Sequence, residues 1–512
     1  MVTAGTAAAL AVGTAAVAVA GLLRPDRPGD GGRRDAPTRR TGRRAGGSAA
    51  RRRGQPRRSA RWARPGDLGD LVVGSRGPPP PGRLILGRFG RRLVAAEAAQ
   101  SVIVFGPTQS HKTSGLAVPA ILGWEGPVVA ASVKGDLLEH TIAHRRTAGE
   151  VQCFDPTGVT GLPGTDWSPL PAARTWPGAR RAAATLTEVG RAQVGGMSDG
   201  DFWYATASRL LAPLLFAAAI GRRDMADVVH WVETGEEDEV LDLLYATGVP
   251  EAVDAARSAF GKEERQRSSI VTTLETLLEP FAGAAAQDRP PFDPAVLLAG
   301  SDTLYLCAPA HDQRRLTPLF VGVLRAVLDT AYDQVARTGR RLDPPLLVVL
   351  DEAANIAPLP DLDALAATAA GHGIQLVTIW HDLAQIHARF GPRATTVVNN
   401  HRAKLFLSGI ADPATLDYAS HLIGEEEVQV TATTAGGRSG ASSTRSPTSR
   451  RLAPPDALRR TPPGRAVLVY RDLPPAQLTL RTWFDDPWLR HRVATDRRTM
   501  DVKDATDVPD AR

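Results

Sequence analysis

The sequence predicts an α/β fold into which an all-α segment is inserted, and three observations support this prediction. Short apolar runs typical of buried parallel strands recur along the chain, and polar residues follow several of them. Between residues 171 and 291 these runs are absent, and apolar residues recur instead at helical spacing. The strand-like runs return at residue 302. A chain of 512 residues is long enough for this core and for further segments.

The individual elements follow from the same patterns. Strands are expected at 102–105, 127–133, 151–154, 302–308, 346–350, 374–380, 404–407, 466–470 and 477–480, with a short strand pair within 84–94. Helices are expected at 173–194, 202–220, 225–233, 236–245, 250–260, 268–281 and 317–335. All of these helices except the last belong to the inserted segment.

Residues 101–122 combine an apolar strand, a loop that begins at Gly106, the pair Lys112-Thr113 and a helical pattern. This order is typical of a P-loop, in which backbone N–H groups and the lysine hold a phosphate and the threonine hydroxyl binds Mg²⁺. The P-loop pattern requires a second glycine, where this chain has His111. Taken alone, the segment fits either a phosphate site or an ordinary strand–turn–helix unit. The candidate nucleotide-binding residues are Gly106, Pro107, Thr108, Gln109, Ser110, His111, Lys112, Thr113 and Ser114, together with Lys134 at the end of the strand 127–133.

Two carboxylates, Asp351 and Glu352, follow the fully apolar run 346–350. A carboxylate at the tip of such a strand is costly to bury unless it meets a cation. In a P-loop enzyme the aspartate orients Mg²⁺ and the glutamate polarises the attacking water. We therefore expect Thr113 and Asp351 at the metal and Glu352 as the general base.

The next strand ends at His381, which would lie beside Glu352 if the two strands pair. A residue there can sense the γ-phosphate. The alternative is a helix-start histidine that binds nothing.

The N-terminal region differs from the rest of the chain in charge. Residues 3–23 carry no charge and would span roughly 32 Å as a helix, enough for a bilayer core. The next 41 residues, 24–64, hold 15 Arg, no Lys and three Asp, a net charge of +12, so the remainder of the +6 chain carries −6. Basic residues that follow a single span place its C-terminal side in the cytoplasm. We expect a transmembrane anchor and a disordered basic linker, and the alternative for the first segment is an Ala-rich leader.

Two other features bear on location and contacts. The two cysteines, Cys153 and Cys307, exclude a disulfide framework and fit a reduced, cytoplasmic compartment. The arginine-rich arm could contact anionic lipid headgroups or a nucleic-acid backbone, or could only fix the membrane topology.

Several separated segments together resemble the type IV secretion coupling proteins, the TraG/TraD-like conjugative DNA-transfer ATPases. The resemblance extends from about residue 96 to 488, and the order and spacing of its segments make it more specific than either nucleotide motif alone. The segments are GPTQSHKTSGLAVPAIL at 106–122, SVKGDL at 132–137, FDPTG at 154–158, WSPL at 167–170, the block 351–386 that begins DEAAN, the block 399–428 and DLPP at 472–475.

The resemblance implies a RecA-like P-loop motor domain with an all-α domain inserted between its two nucleotide motifs. It also implies ATP and Mg²⁺ as cofactors, a homo-hexamer at the inner membrane, and DNA as cargo. That DNA is expected to be single-stranded and bound to a relaxase, and to be delivered to the proteins of a type IV secretion channel. The expected location is the plasma membrane, with a single span and a cytoplasmic ATPase domain.

The expected domain organisation combines both lines of reasoning. It comprises an anchor at 1–23, a disordered linker at 24–83, a motor domain at 84–170 and 292–430, an all-α domain at 171–291, a flexible Gly/Ser/Thr linker at 431–451, C-terminal strands at 452–497 and a frayed tail at 498–512.

Three positions depart from the family pattern and bear on turnover. They are His111 for the second loop glycine, Ala370 for an arginine that would reach a neighbouring γ-phosphate, and His381 for a strand-end glutamine. Arg389, Arg393 or Arg402 could replace that arginine. We expect an ATPase that moves DNA. The alternatives are a nucleotide-binding recruitment module with little turnover, and a chromosome-translocase-like pump for duplex DNA.

Overall fold

We describe the protein from a computed structural model. The structure describes residues 59–132, 135–194, 198–282, 289–356, 358–434 and 442–493. The expected anchor at 1–23, the first part of the expected linker, the tail at 498–512 and Lys134 lie outside the described residues.

A twelve-stranded sheet forms the centre of the described structure. Its strands are β1 (Val72–Gly74), β2 (Ile85–Phe89), β3 (Arg92–Ala95), β4 (Val102–Phe105), β5 (Val128–Ser132), β6 (Val151–Phe154), β7 (Thr303–Cys307), β8 (Leu346–Leu350), β9 (Ile374–Trp380), β10 (Ala403–Leu407), β13 (Arg465–Tyr470) and β14 (Ala476–Thr479), while β11 (Glu425–Thr434) and β12 (Ser442–Arg451) form a separate ribbon. The order across the sheet is β1-β3-β2-β14-β13-β10-β4-β9-β8-β5-β7-β6. The strands from β10 to β6 are parallel, and the other five continue the sheet in antiparallel fashion.

The parallel strands are mostly apolar because both faces of this part of the sheet are covered, and Gln152, Gln375 and Lys404 are among the exceptions. In β4, Ile103 and Phe105 enter one hydrophobic core and Val102 and Val104 enter the other, as the alternation of side chains along a strand requires. The predicted bounds of β4, β6, β8 and β9 agree with the observed ones. The prediction of an α/β fold is thus confirmed.

The helices are distributed over both faces and the connections. They are α1 (Val118–Leu122), α2 (Asp136–Ala148), α3 (Trp176–Val194), α4 (Ser198–Gly221), α5 (Met225–Thr234), α6 (Asp238–Thr247), α7 (Pro250–Phe260), α8 (Glu264–Ala282), α9 (Pro294–Ala299), α10 (Gln313–Thr338), α11 (Leu362–His372), α12 (Leu383–Phe390), α13 (Ala394–Asn400), α14 (Pro413–Ile423) and α15 (Pro455–Arg459). Helices α3 to α8 follow one another between β6 and β7 and pack around α4, where the helical periodicity predicts them.

One described helix segment, Phe202–Gly221 within α4, is long and apolar enough to cross a membrane by length and composition. Most of that segment is buried among the neighbouring helices. Core helices of soluble domains have the same character, so this segment is weak support for a span.

The end of the expected linker at residue 83 is wrong. Residues 59–83 pack on the rest of the described structure: Leu68 and Leu71 are buried, and β1 pairs with β3. The Ala60 N–H donates to the Glu425 carbonyl at 2.7 Å, and the Ala63 N–H donates to the Pro475 carbonyl at 2.8 Å. The high Arg, Gly and Pro content of the whole region predicted a linker, although a few apolar residues in it, such as Leu68 and Leu71, are buried.

The segment 431–451, expected as a linker, forms strand instead. Most of it belongs to β11 and β12, which pair in antiparallel register from Glu425–Arg451 to Thr434–Ser442. Threonine and valine favour strands, and the Glu426–Arg450 ion pair at 2.7 Å joins the two strands near their base. Composition rich in Ser and Gly therefore misled the prediction.

Candidate functional site

The candidate site lies at the carboxyl ends of β4, β9 and β8, which are adjacent in the sheet. Strand β9 separates the strand before the loop from the strand before Asp351. The Gly106 N–H donates to the Trp380 carbonyl at 2.9 Å, which joins the start of the loop to the end of β9. Parallel topology therefore brings the three sequence motifs to one edge, as expected of ligand sites in such sheets.

The loop has little space at Gly106 and takes left-handed backbone at two later positions. A Cβ at Gly106 would lie 2.5 Å from the Ser110 hydroxyl oxygen, so a side chain there would displace the loop. The Ser110 hydroxyl donates to the Pro107 carbonyl at 2.8 Å. Gln109 and His111 have φ values of 64° and 63°. His111 therefore adopts the backbone conformation that a glycine would adopt easily.

Lys112 and Thr113 begin the helical segment after the loop, and both reach the acidic strand end. The Thr113 hydroxyl donates to Asp351 Oδ2 at 2.6 Å. Lys112 Nζ lies 3.6 Å from Glu352 Oε1 and 3.3 Å from His381 Nε2. The chain brings these five side chains together although Thr113 and Asp351 are 238 residues apart.

Asp351 is buried, with 3% of its surface exposed. Burial raises the pKa of Asp351 to about 6, and the bond from Thr113 and the charge of Lys112 oppose that rise. Its Oδ1 has no hydrogen-bond partner among the described residues. A buried carboxylate oxygen without a partner next to a threonine hydroxyl suits Mg²⁺ and its water ligands.

The described residues contain no group of three or more His, Cys, Asp and Glu side chains arranged to hold a metal ion. A magnesium ion beside Thr113 and Asp351 would thus need phosphate oxygens and water to complete its shell. Mg²⁺ is commonly bound in this way, by one or two protein ligands and the substrate phosphates. The residues present therefore fit a nucleotide-bound magnesium ion.

Glu352 and His381 lie close to each other, and both lie beside Lys112. His381 Nε2 lies 3.7 Å from Glu352 Oε1, and the His381 backbone N–H donates to Gln385 Oε1 at 2.9 Å. Burial, followed by the charge of Lys112, lowers the pKa of His381, so its imidazole is neutral at pH 7. Glu352 has a φ of 69°, a strained value for a residue with a side chain.

The arginines considered as replacements for Ala370 are bonded within their own chain. Arg393 binds the Asp363 carboxylate at 3.1 Å, and Arg402 donates to Gln100 Oε1 at 3.0 Å. Arg389 donates to the Pro358 carbonyl at 3.4 Å. A role toward a neighbouring subunit remains a prediction for each of them.

Sequence reasoning missed three residues beside the loop, His140, Trp483 and Phe484, whereas Asp136 belongs to the strand end at 134–136 that it placed beside the ligand crevice. A cleft of about 410 Å³ is lined by Asp136, His140 and Trp483 as well as by loop residues, and Phe484 contacts the ring of His111. Asp136 also contributes to the raised pKa of Asp351 through its charge. Trp483 and Phe484 come from the far end of the chain, and no local pattern links them to the loop.

A parallel sheet with this loop, a Lys-Thr pair and a buried Asp-Glu strand end defines a P-loop NTPase type of protein. The profile of the family described as Type IV secretory system Conjugative DNA transfer matches residues 71–506. The chain therefore belongs to this family of conjugative coupling proteins.

Curated relatives and solved structures agree with this assignment. A conjugal transfer protein TraG from Escherichia coli is 25% identical over 405 residues, which is 71% of this chain and 62% of that protein. Protein VirD4 from Rhizobium rhizogenes is 24% identical over 363 residues, which is 67% of this chain and 52% of that protein. The chain thus spans only about half to three fifths of these relatives.

The fold resembles the bacterial conjugative coupling protein TrwB. A trigonal form in complex with sulphate has a TM-score of 0.59 and 19% identity over 80% of this chain and 96% of that chain. TrwB in complex with ADP and Mg²⁺ has a TM-score of 0.55 and 18% identity, again over 80% of this chain and 96% of that chain. At this level of identity the likeness establishes the fold alone.

Proposed function

We propose that this protein is a membrane-anchored ATPase of the coupling-protein kind, which binds ATP with Mg²⁺ and drives or gates conjugative transfer of DNA. The observation that carries the proposal is the convergence of Lys112, Thr113, Asp351, Glu352 and His381 at one sheet edge. Membership of the conjugative DNA transfer family supports DNA as the cargo. In this proposal the protein is a homo-hexamer with a cytoplasmic motor domain, and it delivers relaxase-bound single-stranded DNA to a secretion channel.

The residues would divide the work of hydrolysis as follows. The N–H groups of the loop and the Lys112 ammonium would bind the β- and γ-phosphates, while Thr113 and Asp351 would hold Mg²⁺, whose charge would neutralise that of the phosphates. Glu352 accepts the proton of the water that attacks the γ-phosphorus, and ADP leaves. The neutral imidazole of His381 contacts the γ-phosphate and reports its presence.

The ion pair of Lys112 with Glu352, at 3.6 Å, holds the phosphate-binding ammonium next to the proposed base. A triphosphate is the stronger partner for Lys112, because several phosphate oxygens compete with one carboxylate oxygen. Binding of ATP would draw Lys112 away from Glu352 and leave that carboxylate able to accept a proton. Substrate binding would thus favour the form of Glu352 that accepts the proton.

The test is DNA-stimulated ATP hydrolysis by the full chain in detergent, alongside Lys112→Ala and Glu352→Gln. We expect Lys112→Ala to lose nucleotide binding. Glu352→Gln should retain binding and lose turnover by roughly 100-fold or more. Lys262→Ala and Glu263→Gln, on the inserted helical segment, are matched controls that should behave as wild type. Turnover that survives Lys112→Ala at saturating ATP and DNA contradicts the proposal.

A second candidate function is a recruitment module in which nucleotide occupancy controls assembly with little turnover. The observation that favours it is the pair of departures at His111 and Ala370, where the family pattern has glycine and arginine. The same assay separates the two functions. Lys112-dependent binding without Lys112-dependent hydrolysis would support the recruitment module.

A further inference from the structure

Four aromatic rings follow one another at the candidate nucleotide cleft: His111, Trp483 and His140 line it, and Phe484 packs on two of these rings. The His111 and Phe484 rings are 5.9 Å apart, Phe484 and Trp483 are 5.6 Å apart, and Trp483 and His140 are 4.5 Å apart, measured between ring centroids. We call this set, His111, Phe484, Trp483 and His140, the aromatic wall. Three separate parts of the chain contribute to it: the loop, α2 and the segment after β14.

The aromatic wall is attached to the phosphate-binding segment. The Trp483 backbone N–H donates to the Ser114 carbonyl at 3.0 Å, which fixes the position of the wall relative to the helix that starts after Lys112. His111, Trp483 and His140 line the same cleft of about 410 Å³ as Lys112. The space next to the wall is thus continuous with the space next to the loop.

Core packing accounts for only part of the aromatic wall, since Trp483 packs against one of the hydrophobic cores. Phe484 keeps 40% of its surface exposed. His140 Nδ1 is shielded from solvent and has no hydrogen-bond partner among the described residues. The exposed face of Phe484, next to rings that line the cleft, is available to a flat aromatic ligand.

We propose that the aromatic wall binds the base of the nucleotide whose phosphates Lys112 holds. This inference rests on the proposed nucleotide-binding function and assigns a further part of that site. A flat aromatic base can stack on Phe484 and Trp483 while its phosphates stay at the loop, since every base has a π-face. Stacking depends on ring area, so purine nucleotides bind more tightly than pyrimidine nucleotides. Adenine and guanine, which have equal ring area, are discriminated little.

The test distinguishes binding of the base from binding of the phosphates. Affinities of the full chain for ATP, GTP, CTP and inorganic tripolyphosphate are measured by calorimetric titration in the presence of Mg²⁺. We expect Phe484→Ala to weaken ATP and GTP binding by roughly 5- to 100-fold and to leave tripolyphosphate within about twofold of wild type. The purine preference over CTP should shrink in the same variant. Phe484→Trp should keep the wild-type affinities.

Two further variants keep the result interpretable. Tyr245→Ala removes an exposed aromatic ring from α6 and should change no affinity. Trp483→Ala, checked for folding by circular dichroism, should weaken ATP binding with the same sparing of tripolyphosphate. Unchanged ATP affinity in both wall variants, or an equal loss for ATP and tripolyphosphate, overturns the assignment. If Lys112→Ala weakens neither ligand, the nucleotide function itself fails, which is a separate outcome.

Discussion

Replacement of Asp351 by asparagine should stabilise the nucleotide-free protein while it abolishes the proposed magnesium-dependent function. The side chain is 3% exposed, and burial raises the pKa of Asp351 from 3.8 to about 6. The folded protein therefore holds a proton that the unfolded chain releases between pH about 4 and about 6. Stability is lost as the pH rises through this window, because the carboxyl ionises readily in the unfolded chain while burial opposes its ionisation in the folded state.

The size of the expected stabilisation follows from the pKa shift of Asp351. A rise of about two pKa units at about 1.4 kcal/mol per unit corresponds to about 3 kcal/mol at pH 7. Asparagine has the same shape, can still accept the hydrogen bond from Thr113 and carries no charge. Asp351→Asn should thus gain up to about 3 kcal/mol of unfolding free energy at pH 7.5 and gain little at pH 4.

The assay is urea denaturation of wild type and variant at both pH values, with and without ATP and Mg²⁺. The wild type should be stabilised by the ligands, while Asp351→Asn should not respond to Mg²⁺. Asp417→Asn, an exposed carboxylate paired with Arg451, is the control and should change stability by less than about 1 kcal/mol. A loss of stability in nucleotide-free Asp351→Asn at pH 7.5 would refute the reasoning, because it would mean that Lys112 more than compensates for burial.

Other positions give further expectations, each measurable as unfolding free energy. Arg145→Met should cost about 3 kcal/mol, because the fully buried Arg145 guanidinium donates to one hydroxyl and three backbone carbonyls at 2.6–2.9 Å. Gly322→Ala should cost about 1–3 kcal/mol, because its Cβ would lie 2.3 Å from the Trp167 ring. Burial lowers the pKa of His401 from 6.5 to about 4, so the unfolded chain takes up a proton there first and stability is lost as the pH falls through that window. His401→Asn should remove up to about 3 kcal/mol of this acid sensitivity.

The nucleotide motifs could be predicted because each depends on short-range pattern. An apolar strand followed by Lys112-Thr113 or by Asp351-Glu352 is visible without any knowledge of the sheet. The sequence predicts His381 beside Glu352 only if the strand before His381 pairs with the strand before Asp351. The structure meets that condition, because β9 lies between β4 and β8.

Two kinds of feature could not be predicted from the sequence. One depends on packing between distant segments, and the other on a few apolar residues in a segment whose overall composition is typical of a linker. The aromatic wall brings Phe484 and Trp483 to a loop more than 350 residues earlier, and no periodic pattern encodes that contact. Leu68 and Leu71 anchor a segment that its Arg and Pro content marks as a linker. Composition is an average over a window, whereas burial is decided by single side chains and the surfaces available to them.

His111 shows why a departure from a motif need not destroy its function. A left-handed backbone costs a residue with a side chain about 1–2 kcal/mol, yet His111 keeps the φ of 63° that the loop requires. Its Nδ1 lies 3.1 Å from the Ser114 hydroxyl oxygen, and its ring packs against Phe484. These contacts offset part of the strain, which preserves the path of the loop. His111 in place of glycine therefore affects phosphate binding less than it affects the surface beside the phosphate site. Its ring extends the aromatic wall at the end nearest the loop.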